Sequence, residues 1–145
     1  MQEKLQSLIT KYEMLIGNVP TRKHTDGQNY FNYIINIYLG NERYTKAKFQ
    51  KLTNLRKDTY YMLCGERKGG PIREITLASV AFGLGITYQE AVLLFYYYGK
   101  NLFCDFPYLQ KMNEVLRRLD TLEVKKADPE TRICIMSKLM EEEGL

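Results

Sequence analysis

The chain has 145 residues, of which 45% are hydrophobic and 26% are charged. This length is enough for one well-buried core and too short for two ordinary domains. No apolar run reaches the roughly eighteen residues of a membrane-spanning helix. Charged residues at Glu3, Lys4, Lys11 and Glu13 interrupt the start of the chain, which argues against a secretory signal there. We therefore expect a cytoplasmic protein without a membrane segment.

The cysteine and histidine content argues against a disulfide framework, a zinc site and a histidine-dependent triad. Cys64, Cys104 and Cys134 are odd in number and far apart, none belongs to a C-x-x-C pair, and His24 is the only histidine. We expect the cysteines to be buried thiols and His24 to be solvated. We also expect no metal, no cofactor and no catalytic residues, so the protein should not be an enzyme.

The positive charge is concentrated in one segment. The net charge of the chain is +4, whereas residues 41–73 hold nine basic and three acidic side chains, a net charge of +6. A local positive field favours a polyanion such as nucleic acid as partner, and an acidic protein surface comes second. A solvated basic face on an ordinary helical protein fits the charge pattern equally well.

Apolar residues recur every three or four positions along most of the chain, which predicts an all-α fold. Pro71 should begin the fifth helix, and Thr87 with Glu90 forms a capping box for the sixth. The polar stretch from Gly17 to Gly27 should be a linker. Helices are predicted near residues 2–16, 27–39, 45–52, 57–64, 71–84, 88–98, 107–119 and 129–142.

Residues 45–67 combine two short predicted helices with a tight turn, which is the pattern of a helix-turn-helix. The turn needs a residue that tolerates positive φ, and Asn54 is the usual substitute for glycine there. The positions where this motif buries apolar side chains are occupied by Phe49, Leu55, Tyr60 and Leu63.

The segment PIREITLASVAFGLGITYQEAVLLFYYYGKNL extends the pattern downstream. It resembles the two helices that follow the helix-turn-helix in Cro/C1-type (XRE-family) regulators, and the helix at 28–39 is similar to their first helix. The resemblance covers residues 26–102. It implies a λ-repressor-like helix-turn-helix bundle with one extra N-terminal and two extra C-terminal helices. The implied parts are an N-terminal helix and linker (1–24), a DNA-binding domain (25–103) and a C-terminal extension (104–145).

The resemblance also implies which residues contact DNA. Lys57 and Asp58 match the first exposed positions of the recognition helix, and Tyr61 or Met62 follows about one turn later. Lysine donates to guanine, aspartate accepts from cytosine, and tyrosine contacts a thymine methyl group or a phosphate. A solvated first turn and a tyrosine covering the core edge are the alternatives. The phosphate contacts implied are Lys46, Arg56, Arg67 and Lys68.

The implied function is sequence-specific binding of duplex DNA by a transcriptional regulator. Gln50, Asn54 and Tyr60 depart from the family pattern, which keeps open a second hypothesis. In it, the fold serves as a protein-binding module, such as a small phage or mobile-element inhibitor. A third hypothesis is an RNA or single-strand binder that uses Tyr96–Tyr98, although most of that cluster should be core. A homodimer is expected through some of the apolar residues of the last two helices, with or without the apolar stripe Leu5–Ile16; the former are Leu109, Met112, Leu116, Leu119, Ile133, Met136 and Met140.

Overall fold

The computed structural model describes residues 3–16, 24–40, 45–68 and 71–145, and within them all regular structure is helical. No strand occurs in these ranges, so the all-α prediction is confirmed. None of these helices is both long and apolar enough to cross a membrane. The helices are α1 (Glu3–Ile16), α2 (Asp26–Leu39), α3 (Thr45–Thr53), α4 (Lys57–Cys64), α5 (Glu74–Leu84), α6 (Tyr88–Tyr97), α7 (Pro107–Arg117), α8 (Leu122–Lys126) and α9 (Pro129–Glu142), with a 3₁₀ turn at Arg118–Asp120.

Local capping explains where several helices begin. Thr25 accepts from the N–H of Gln28 at the start of α2, and the Gln28 amide oxygen accepts from the N–H of Thr25 in return. The predicted capping box of Thr87 and Glu90 has the same reciprocal bonds at α6. Asp128 caps α9 by accepting from Thr131.

Several local predictions were wrong. Pro71 precedes the fifth helix instead of starting it, because Arg73 has an extended backbone (ψ 151°) and is the N-cap of α5. Helix α8 was not predicted, since its five residues include a single buried apolar side chain, Val124. Cys104 is half-buried and Cys134 is exposed, so burial among the cysteines is confined to Cys64. Most of the predicted linker, residues 17–23, lies outside the described residues.

Helices α5 and α6 form the centre of the fold. Every residue of α5 from Leu77 to Leu84 is buried, as its almost wholly apolar sequence predicts. Helices α1 and α2 pack against α6, whereas α3 and α9 pack against α5 and against each other. Helix α3 approaches α5 closely at Gly83, where an added Cβ would lie 2.7 Å from the carbonyl oxygen of Leu52. The core therefore supports α3 and, through it, the segment richest in positive charge.

The apolar residues expected to form a two-fold interface are largely used inside the chain. Met112, Leu116, Leu119, Met136 and Met140 are buried, because α9 packs on α5 and α7. Leu109 and Ile133 are half-buried. This face therefore has little apolar surface left for a second copy of the chain. The homodimer itself stays a prediction.

Candidate nucleic-acid interface

The connection between α3 and α4 has the backbone geometry predicted for it. Asn54 has a φ of 59°, in the left-handed region. The buried hydroxyl of Thr53 donates to the carbonyl oxygen of Phe49 at 2.7 Å and accepts from the N–H of Leu55 at 3.2 Å. These bonds hold the turn from within, so the direction in which α4 leaves α3 is set locally.

Aromatic side chains pack beneath α4. Phe49 of α3 and Leu63 of α4 are both fully buried. The ring of Tyr60 has its centroid 5.1 Å from that of Phe49 and 6.0 Å from that of Phe31. Tyr60 is thus accommodated by neighbouring phenylalanine rings.

The C-terminal end of α4 is held by donors from two other helices. The last carbonyl groups of a helix have no partner inside the helix. Here three consecutive carbonyl oxygens accept bonds from side chains of α2 and from the residue that ends α6, which anchors α4 to the body of the protein. The pairs are Gln28 Nε2 to Met62 O (3.1 Å), Tyr98 Oη to Leu63 O (2.9 Å) and Asn32 Nδ2 to Cys64 O (3.0 Å).

Two glycines make this arrangement possible. An added Cβ on Gly27 would lie 2.8 Å from the ring of Tyr98, so only glycine lets that ring cross the first turn of α2. Gly65 ends α4 with a φ of 91°, and the ring of His24 lies against it. His24 is therefore half-buried, which corrects the expectation that it is solvated. The N–H groups of Gly65 and Arg67 both donate to the carbonyl oxygen of Tyr61, which turns the chain back along α4.

This reversal places Arg67 beside α4, where four of the seven predicted contact residues form one group, the Tyr61 cluster, consisting of Lys46, Asp58, Tyr61 and Arg67. Asp58 and Tyr61 are three residues apart and share a face of α4. The Arg67 guanidinium donates to the Asp58 carboxylate at 2.8 Å and lies 5.6 Å from the Tyr61 ring centroid. The Lys46 ammonium, from the first turn of α3, donates to the Tyr61 hydroxyl at 2.7 Å.

The other three predicted residues are exposed beside this cluster. Lys57 precedes Tyr61 by four residues and so shares its face of α4. Arg56 is the N-cap of α4 and makes no side-chain hydrogen bond to the first turn, as expected for arginine at that position. Lys68 follows Arg67 in the chain and is exposed. Each end of α4 thus has exposed positive charge near it.

The residues that anchor α4 were not among the predicted site residues. Gln28 had a visible signal, since it stands three residues after Thr25 in a capping-box pattern. Asn32 had none, because an asparagine inside a helix is unremarkable until its partner is known. Tyr98 was assigned to the core with Tyr96 and Tyr97; all three are half-buried, and Tyr98 also donates to α4.

Among the described residues, no group of three or more histidine, cysteine, aspartate or glutamate side chains is placed to hold a metal ion. Comparison with known proteins gave no match to a family model, a curated protein or a solved structure.

Proposed function

We propose that the chain binds duplex DNA through the exposed face of α4, as a cytoplasmic, non-catalytic transcriptional regulator of Cro/C1 type. The anchoring of α4 is the observation that carries this proposal. Two side chains of α2 and that of Tyr98, the residue that follows α6, hold its C-terminal end, while Lys57 stays exposed in its first turn. A rigid helix with exposed donors near its N-terminus suits the major groove, where such residues contact base edges.

The side chains divide into base and phosphate contacts. Lys57 is exposed and would donate to guanine O6 and N7. Tyr61 contacts both a lysine and an arginine, so it would orient phosphate contacts while bordering the groove. The residues that would grip phosphates and set the register on the duplex are Lys46, Arg56, Arg67 and Lys68.

We include a homodimer in the proposal, because a single module of this size buries little surface on DNA. Two copies would place their α4 helices about 34–36 Å apart, one turn of the duplex. Met14 and Leu15, near the end of α1, are 79% and 71% exposed and suit such an interface better than α7 and α9. Light scattering should give a dimer that Leu15→Glu converts to a monomer; a monomeric parent, with and without DNA, would contradict this part.

The test of DNA binding is a mobility-shift selection from random duplexes at two salt concentrations. We expect a preferred site, and affinity that falls as salt rises because bound phosphates release counterions. Lys57→Ala should weaken binding to the selected site. Lys126→Ala, which removes an exposed lysine on α8, is the matched control and should not. A parent that shifts no duplex at low salt contradicts the proposal.

A second candidate function is recognition of an acidic protein surface. The internal partners of the Tyr61 cluster favour it, since Arg67 is paired with Asp58 and Lys46 is bonded to Tyr61 before any ligand arrives. In that case the parent should shift no duplex. A purified acidic partner should bind it, and Lys57→Ala should weaken that complex while Lys126→Ala leaves it unchanged.

A further inference from the structure

We propose that Asp58 competes with DNA phosphate for Arg67, so that exchange of one ion pair limits the affinity of the α4 face for DNA. This inference rests on the proposed DNA binding. It assigns Asp58 the role of an internal anion, which differs from the base contact that the sequence resemblance implies.

The backbone after α4 creates this ion pair. Gly65 ends the helix in the left-handed region, and the N–H of Arg67 donates to the carbonyl oxygen of Tyr61 at 3.1 Å. The chain therefore runs back beside α4, and the Arg67 side chain reaches the first turn, nine positions earlier. There Nη1 lies 2.8 Å from Oδ1 of Asp58, and the guanidinium also lies near the Tyr61 ring.

The pair is open to a ligand. The side chains of Arg67 and Asp58 are 53% and 48% exposed, so a phosphate group can approach the guanidinium without unfolding the segment. Exposed ion pairs are weak, whereas an arginine–phosphate contact is charge-assisted, often bidentate, and releases a condensed counterion. Exchange of carboxylate for phosphate at Nη1 is thus favourable overall, and a phosphate that binds this donor gives up the free energy of the internal pair.

Asp58 also has a stable state after the exchange. It lies in the first turn of α4, where the helix dipole and the backbone N–H groups favour a negative charge. Lys57, its neighbour, is exposed and positive. When Arg67 turns to a phosphate, the Asp58 carboxylate is therefore not left buried without a partner, so the exchange can be reversible.

The test compares Asp58→Asn with the parent on two duplexes, the selected site and an unrelated sequence, over a series of salt concentrations. Asparagine keeps the size of the side chain and removes its charge. We expect binding about two- to fivefold tighter on both duplexes, and a log-affinity against log-salt slope steeper by up to about one. Asp58→Ser should behave alike, and thermal unfolding checks that both variants fold.

Two controls separate exchange from a general change of charge. Glu66→Gln removes the same charge from an exposed neighbour that is not the carboxylate bonded to Arg67, so it should give a smaller gain. In an Arg67→Ala background, Asp58→Asn should raise the affinity for DNA no more than Glu66→Gln does, because the arginine for which Asp58 competes is absent.

Three results would overturn the inference alone: a loss of affinity confined to the selected site, which marks Asp58 as a base contact; a gain no larger than that of Glu66→Gln; and an equal gain without Arg67. A parent that binds neither duplex instead overturns the proposed DNA binding, and this inference with it.

Discussion

The side-chain amide of Gln28 donates to the carbonyl oxygen of Met62 at 3.1 Å, across 34 positions of the chain. Its oxygen accepts from the N–H of Thr25 at 3.0 Å. One side chain thus bonds both to the N-cap residue of α2 and to one of the last carbonyl groups of α4. The orientation of the proposed DNA-binding helix is therefore coupled to the start of α2.

Because Asn32 of α2 donates to α4 and Asn36 of α2 does not, we expect alanine substitutions at these two positions to have unequal effects on stability. Asn32→Ala removes the donor to the Cys64 carbonyl and should lower the free energy of unfolding by about 1–2 kcal/mol. Asn36 is exposed one turn later, so Asn36→Ala should change stability by less than about 0.5 kcal/mol. Urea denaturation measures both, and equal losses would show that the Asn32 bond does not anchor α4.

The hydrogen bonds of Arg132 hold α9 to the end of α5, and substitutions at this position should therefore change stability. Its guanidinium donates to the carbonyl oxygens of Phe82 and Gly83 at the end of α5 and to that of Ala127, at 2.7–2.8 Å. Arg132→Leu should cost about 2–4 kcal/mol of unfolding free energy, since several carbonyl groups lose their partner. Arg132→Lys keeps the charge but not the planar fork, so it should recover only part of the loss. Full recovery with lysine would mean that charge, not geometry, fixes α9.

Because tyrosines are buried between α1, α2 and α6, we expect the protein to lose stability at alkaline pH. Tyr12 has its ring centroid 4.7 Å from that of Tyr30, 5.0 Å from that of Tyr33 and 5.4 Å from that of Tyr97. Burial raises the pKa of Tyr12 to about 12, and burial also raises the pKa values of Tyr30 and Tyr97. In the unfolded chain a tyrosine titrates at about 10.

Above about pH 10 the unfolded chain therefore loses protons that the folded chain keeps, so the contribution of these tyrosines to the free energy of unfolding should be complete below about pH 10 and be lost as the pH rises through about 12. Denaturation curves across this range, with tyrosinate absorbance as a second signal, test it. Tyr12→Phe should reduce the slope. An unchanged slope in that variant would exclude Tyr12 as a contributor.

We expect substitutions at Lys57 and at Arg67 to change DNA binding in two different ways. Lys57→Ala should cost about 1–3 kcal/mol on the selected site and relax the preference at one base pair. Arg67→Ala should weaken all sequences alike and lower the salt slope by about one. Both residues are exposed, so melting temperatures should barely change. Two variants with the same profile would contradict the division into base and phosphate contacts.

Sequence alone determined most of the helical framework of this protein. The starts of α2, α6 and α9 follow from Thr25, Thr87 and Asp128, because capping side chains act on N–H groups two or three residues away. Asn54 likewise marked the turn between α3 and α4, since few residues tolerate its φ of 59°. Such signals lie within one turn of the chain and can be recognised without knowing the fold.

Tertiary structure alone decided how these helices are used. The bonds from Gln28, Asn32 and Tyr98 to α4, and the packing that buries the apolar faces of α7 and α9, join positions far apart in the chain. The pairing of Arg67 with Asp58 spans only nine residues, yet it depends on the chain reversal after Gly65. Each contact needs a helix end or side chain that is placed by the packing of the core. Composition and periodicity do not encode that placement locally.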